Sequence, residues 1–218
     1  MLVLIKFKVR GNLRFLSHAE MVKVFQRASV RAGIKTEYSQ GFNPRPKLSL
    51  PLPKSVAVES EDDLLCLRVK NSASSFDPER FKTRLSKQLP EGCELLSVSA
   101  EKEKVSFQPS AATYLLPVHQ KYLNEKLQTN IKRLLASKSL NIQRQTKTKN
   151  SKSKFKSVDV RSFLKSVELD GRGITVECKI TAAGTIRVDE ILRMLGLDAE
   201  KLAGPIRRTN VQWQVSES

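Results

Sequence analysis

Three stretches of this chain carry residue types suited to a phosphorylated partner. In the first, Arg14 and His18 flank the start of an expected helix, where free backbone N–H groups and the positive dipole end attract an anion. The second is Tyr38-Ser39-Gln40-Gly41-Phe42-Asn43-Pro44-Arg45-Pro46-Lys47. It holds two rings that can stack on bases, an amide pair, two cations for phosphate and no acid. Gly41 permits a turn, and Pro44 and Pro46 stiffen the chain beyond it. The third runs from Arg144 to Lys156 with six cations and no acid. As a hairpin tip it would track a nucleic-acid backbone through salt-sensitive phosphate contacts. The expected RNA-contacting residues are therefore Arg14, His18, Tyr38, Gln40, Phe42, Asn43, Arg45, Lys47, Arg144, Lys147, Lys149, Lys152, Lys154 and Lys156. The plainer readings are that Tyr38 and Phe42 pack, the amides close turns, and the basic run is a solvated loop.

His18 is also the one weak catalytic candidate. A histidine can serve as general base for RNA cleavage, as in the ferredoxin-like endoribonucleases of CRISPR processing. The remaining histidine is His119, however, and the glycine-rich terminal loop of those nucleases is missing. His18 also sits where a capping box explains it. No phosphate-cradling glycine loop, nucleophile–base pair or zinc pattern is present, so no metal and no cofactor are expected. Arg187, Asp189 and Glu190 read as helix-start residues and surface pairs.

A net charge of +17 over 218 residues favours a polyanionic partner, nucleic acid before anionic membrane. The charge falls in two basic blocks, residues 1–50 at +8 and residues 101–150 at +7, around a near-neutral block. Hydrophobic residues make up 39%, enough for a packed core, and no apolar run approaches the ~20 residues needed to cross a bilayer. Lys6, Lys8 and Arg10 interrupt the apolar start, so no secretory signal is read there. Cys66, Cys93 and Cys178 lack metal or redox spacing and suit reduced thiols in a cytoplasmic protein.

These candidates need elements to hold them. Leu2 to Val9 alternates as a strand with Val3, Ile5, Phe7 and Val9 on one face. Ser17-His18-Ala19-Glu20 is a capping box that opens a helix running to about Ala32, with Met21, Val24, Phe25 and Ala28 inward and Gly33 as the stop. Extended segments are expected at Leu48 to Leu52, Val56 to Glu59 and Leu64 to Val69, then a helix from Asp77-Pro78 to Leu89 and a strand from Glu94 to Ala100. That order, β-α-β-β-α-β, is the ferredoxin-like one. The second half repeats it less cleanly: a strand at Ala111 to His119, a helix at Leu123 to Ala136, a hairpin of Leu140 to Lys147 with Phe155 to Val160, and a short helical turn at Arg161 to Ser166. A strand at Gly173 to Ile180, a helix at Val188 to Leu195 and a closing strand at Pro205 to Val215 complete it. The expected fold is α+β, with tandem ferredoxin-like domains (residues 1–105 and 106–218) built on antiparallel sheets.

Leu13-Arg14-Phe15-Leu16-Ser17-His18, followed by Tyr38 to Pro46, resembles the signature of the radical-SAM-linked protein family. Val158-Asp159-Val160-Arg161, Gly184 to Leu192 and Arg207-Arg208-Thr209 resemble its later blocks, with Val188 where that family commonly has proline. Members of that bacterial family are encoded beside, or fused to, a radical SAM enzyme. The resemblance implies such an enzyme as partner, but not a reaction. The chain itself lacks the closely spaced three-cysteine motif that holds the radical SAM cluster. Charge, loop chemistry and resemblance together lead us to expect a cytoplasmic accessory protein that presents a structured RNA, ribosomal or transfer, to a radical SAM enzyme. The alternatives are a metal-independent endoribonuclease using His18, or a protein-docking adaptor without RNA contact.

Overall fold

A computed structural model of the protein describes residues 1–70, 76–101, 105–147 and 153–217. The fold is α+β, with ten strands and four α-helices among the described residues. It divides into two compact units, Met1–Pro109 with Arg207–Ser218, and Ser110–Ile206.

In the first unit, β1 (Leu2–Val9) alternates as expected, and Val3, Ile5, Phe7 and Val9 are buried on its core face. A 3-10 turn at Gly11–Phe15 leads into α1 (His18–Arg31). The expected capping box is formed: the Ser17 hydroxyl accepts the Glu20 N–H, and the Glu20 carboxylate accepts the Ser17 N–H at 2.8 Å. Such a cap stabilises a helix by about 1 kcal/mol. Met21, Phe25 and Ala28 are fully buried, while Val24 is only half-buried. Phe25 meets Phe7 edge-on at 4.7 Å, which seats α1 on the sheet. Gly33, at φ +63°, ends the helix in the left-handed conformation that a side chain would disfavour.

The next strands differ from expectation. β2 is only Leu48–Ser49, whereas β3 is one strand of eleven residues, Val58–Arg68. Ser60 to Asp63 reads as a break between two extended segments, but here the acid-rich stretch from Glu59 is continuous strand because each acid is met. Gly11 N–H donates to Glu59, Lys6 pairs with Asp62, Arg207 with Glu61 and Arg208 with Asp63. Helix α2 (Pro78–Ser86) is capped by Asp77 and starts at Pro78, as the sequence predicts, and β4 (Cys93–Glu101) comes next. β1 pairs antiparallel with β3 and β4, and β2 antiparallel with β3, giving the order β4-β1-β3-β2.

The last strand, β10 (Ile206–Glu217), adds Arg207 onward to this unit beside β3. One expectation changes. The sheet is mixed and mostly antiparallel instead of wholly antiparallel. From Arg207 onward the closing strand groups with the first unit, where its arginines meet the acids of β3.

The second unit begins inside β5 (Val105–Leu116) and continues through α3 (Glu125–Ala136), capped by Asn124, with Leu127, Ile131 and Leu134 buried. β6 (Asn141–Lys147) and β7 (Ser153–Asp159) form the expected hairpin. The helical turn expected to reach Ser166 is a 3-10 turn at Arg161–Phe163 only. It runs straight into β8 (Leu164–Asp170), which pairs with β9 (Gly173–Lys179). Arg161 makes that corner: its guanidinium donates to the carbonyls of Leu135, Ser137 and Leu164, tying the end of α3 to the start of β8. α4 (Val188–Leu195) ends at Gly196 as expected.

Candidate nucleic-acid interface

The segment from Tyr38 to Lys47 is a small antiparallel excursion with a projecting tip. Tyr38 bridges Pro46, the Ser39 N–H donates to the Arg45 carbonyl, and the Lys47 N–H donates to the Glu37 carbonyl at 2.7 Å. At its base, Glu37 N–H donates to the Arg68 carbonyl and Arg68 N–H to the Lys47 carbonyl, which fixes the stalk to the last residue of β3. The Ser39 hydroxyl accepts the Arg45 N–H and steadies the turn. Beyond these bonds, Gln40, Gly41, Phe42 and Asn43 face solvent, and Gly41 takes φ +127°. Phe42 is fully exposed and Tyr38 is 41% exposed. A braced backbone thus holds two rings in water rather than in the core. Arg45 is exposed beside them, whereas the Lys47 ammonium is 3.2 Å from Glu37.

Arg14 and His18 form a separate site. The hairpin is anchored to Arg68, while the start of α1 is anchored at Ala57, just before β3. About 30 Å of strand therefore lies between them. The Arg14 guanidinium donates to the Gly11 carbonyl and stacks over the Phe15 ring at 4.4 Å. The Arg14 carbonyl accepts two donors, the Ala57 N–H at 2.9 Å and the Lys54 ammonium at 2.8 Å. His18 Nδ1 accepts the Lys54 N–H at 3.4 Å, which places the ring proton on Nε2 and leaves that nitrogen a donor. A base at Nε2 would need the other tautomer.

Lys54 gave no signal in the sequence, as one lysine among prolines. The structure buries it beside a polar chain, with its ammonium donating to the Arg14 and Ser55 carbonyls. Ser60 donates to Asp63, Asp63 accepts Arg208, Arg208 also donates to the Pro53 carbonyl, and Lys54 closes onto Arg14. Burial pushes the Lys54 ammonium down to about 8, with Asp63 pulling it up and Arg208 pushing it further down. Between about pH 8 and 10.5 the unfolded chain keeps a proton that the folded protein has released, so stability from this group rises with pH across that window. Wild type should gain stability relative to Lys54→Met over that range, by about 1–3 kcal/mol once solvent screening is allowed for, measured by urea unfolding. A constant difference would show that the amine is well solvated.

In the second unit, Arg144 is engaged. Its Nε and Nη2 each donate to Glu190 at 2.8 Å, and Nη2 donates to the Thr185 carbonyl. Glu190, expected at the surface, has a side chain only 1% exposed and also accepts the Arg187 N–H, while Asp189 keeps its expected surface pairing, with Arg193. Burial works against the charged Glu190 carboxylate, but the bonds from Arg144 and Arg187 outweigh it and hold it below the usual carboxylate range. Lys156 is exposed on β7, opposite Arg144 in register. Only the backbone of Lys147 and Lys154 is described, and Lys149 and Lys152 lie outside the described residues.

Residues 3–194 match a family described as "Uncharacterized protein conserved in bacteria (DUF2344)". The chain belongs to the DUF2344 family. A comparison with curated proteins finds no match. The DUF2344 match takes in the start of α1, the hairpin tip and the Arg144–Glu190 pair, while Arg207 and Arg208 lie beyond its end. Among the described residues no group of three His, Cys, Asp or Glu could hold a metal ion, and no helix is long and apolar enough to cross a membrane.

Proposed function

We propose that this DUF2344 protein is a cytoplasmic RNA-binding accessory protein that presents a structured RNA, ribosomal or transfer, to a partner radical SAM enzyme. The observation that carries the RNA reading is the braced hairpin tip, with Phe42 and Tyr38 exposed beside Arg45 on a chain of net charge +17. Stacking on such rings contributes about 1–3 kcal/mol per base and tolerates sequence. The partner enzyme enters through the resemblance of the Arg14–His18 and Tyr38–Pro46 blocks to the radical-SAM-linked family. A tandem ferredoxin-like architecture belongs to the same proposal. The order β4-β1-β3-β2 supports it in the first unit, and the antiparallel order β5-β9-β8 supplies three of the same four positions in the second.

Filter binding of structured RNAs over a range of salt tests the reading. Affinity should fall linearly on logarithmic axes as salt rises. Tyr38→Ala with Arg45→Ala should weaken binding by more than about tenfold, beyond the loss of one phosphate contact, because a stacking platform goes as well. An affinity indifferent to salt, or a variant that binds as wild type does, would remove the basis of the proposal. Co-purification of a protein partner that survives nuclease and high salt, with no RNA affinity, would instead favour the adaptor role.

A further inference from the structure

The exposed side of α1 carries a feature that the hairpin does not explain. Lys23, Arg27 and Arg31 recur every fourth residue and form one solvent-facing row with a rise of about 6 Å per step. They edge a groove of about 610 Å³ whose far wall is the turn after α2, with Lys87 on it. The floor is aliphatic: Leu16, Val24, Leu89 and Pro90. Four cations thus surround it with one acid, Glu20, whose carboxylate is taken up in the capping box by the Ser17 N–H. The Arg31 guanidinium donates to the Gln88 carbonyl at 2.9 Å, so the two walls are already joined. Lys23, Arg27 and Lys87 are exposed, and Val30, 55% exposed, lies beside the cationic row.

We propose that this groove docks an acidic amphipathic helix of a partner protein. The row of cations at helical spacing matches carboxylates placed one turn apart on such a helix, and its leucine-type face would cover the aliphatic floor. The groove lining holds no aromatic ring, which separates it from the hairpin tip. The wall already held by Arg31 lowers the ordering cost of binding. This site is independent of the RNA reading, because it uses other residues and other chemistry.

Fluorescence anisotropy with the full chain tests it. The probe is a labelled peptide of about 18 residues, five turns, with glutamate and leucine on opposite faces. Its controls are a scrambled peptide of identical composition and a single-stranded oligouridine. The segregated peptide should bind at least about tenfold tighter than its scrambled isomer. Lys23→Glu with Arg27→Glu should reverse that gain while leaving the RNA affinity of the hairpin in place. Both positions are exposed, and an unchanged thermal melt of the variant shows that the fold is intact. Equal binding of the two peptides overturns the proposal, as does a variant that binds the segregated peptide as wild type does. A variant that loses oligouridine affinity but keeps the peptide overturns it too, and makes the groove a nucleic-acid track.

Discussion

Arg208→Ala is expected to lower the unfolding free energy of the first unit by about 3–5 kcal/mol. Arg208 is 2% exposed, and its Nε and Nη2 both donate to Asp63 Oδ1, at 3.1 and 2.6 Å. Truncation leaves the Asp63 carboxylate buried with the Ser60 hydroxyl still donating to it but without the guanidinium that faced it. It also frees the Pro53 carbonyl, and so loosens the loop that places Lys54. The cost is that of an uncompensated charge, not the worth of the pair. Arg208→Met together with Asp63→Leu should therefore recover most of the loss. Urea unfolding of the two single variants and the double variant measures this. A loss below about 1 kcal/mol for Arg208→Ala would mean that water already reaches the pair.

Arg144→Ala should cost the second unit about 3 kcal/mol for the same reason, since it strands the buried Glu190 carboxylate. It should also release the β6–β7 hairpin from α4, visible as faster amide exchange in β6 and β7. Because the guanidinium is spent on Glu190 and Thr185, the salt slope of RNA binding should be unchanged at its removal, whereas loss of a true phosphate contact lowers that slope by about one. The Glu190 carboxyl titrates below its ordinary value in the folded protein. Its stabilisation is present above the ordinary glutamate pKa and is lost as pH falls through the lowered one, so the penalty of Glu190→Gln should shrink on acidification. A salt slope lowered by about one for Arg144→Ala, with unchanged stability, would instead make Arg144 a phosphate contact.

Local chemistry is legible where one segment carries the whole signal. The alternation of β1, the Ser17–Glu20 box, the Asp77-Pro78 start and the Gly196 stop each need only neighbours a few residues away. The hidden features depend on partners far along the chain. Ser60 to Asp63 looks like a break until Arg207 and Arg208 are known to lie beside it, 145 and more residues later. Arg144 looks like an unpaired cation until Glu190 is brought against it. The start of β8 resembles a helical turn in sequence, because a lone arginine gives no hint that Arg161 caps three carbonyls there. One clue is available: Ile206-Arg207-Arg208 sets two cations in an apolar strand pattern, which asks for buried acids, and Glu61 to Asp63 is the densest acidic run in the chain.

The origin of β10 has a consequence for synthesis on the ribosome. The strand that completes the first unit is translated only after Ser110–Ile206, the whole of the second. At ~5–20 residues per second, the nascent first unit waits on the order of ten seconds with the outer edge of β3 uncovered beyond its short pairing with β2. A bare edge of that length invites pairing with a neighbouring chain. Glu61, Asp62 and Asp63 sit along it; Arg10 and Lys6 already meet the first two while Asp63 waits for Arg208, and charged side chains on an edge discourage pairing with another chain. The acids that later anchor the final strand thus guard its place in the meantime.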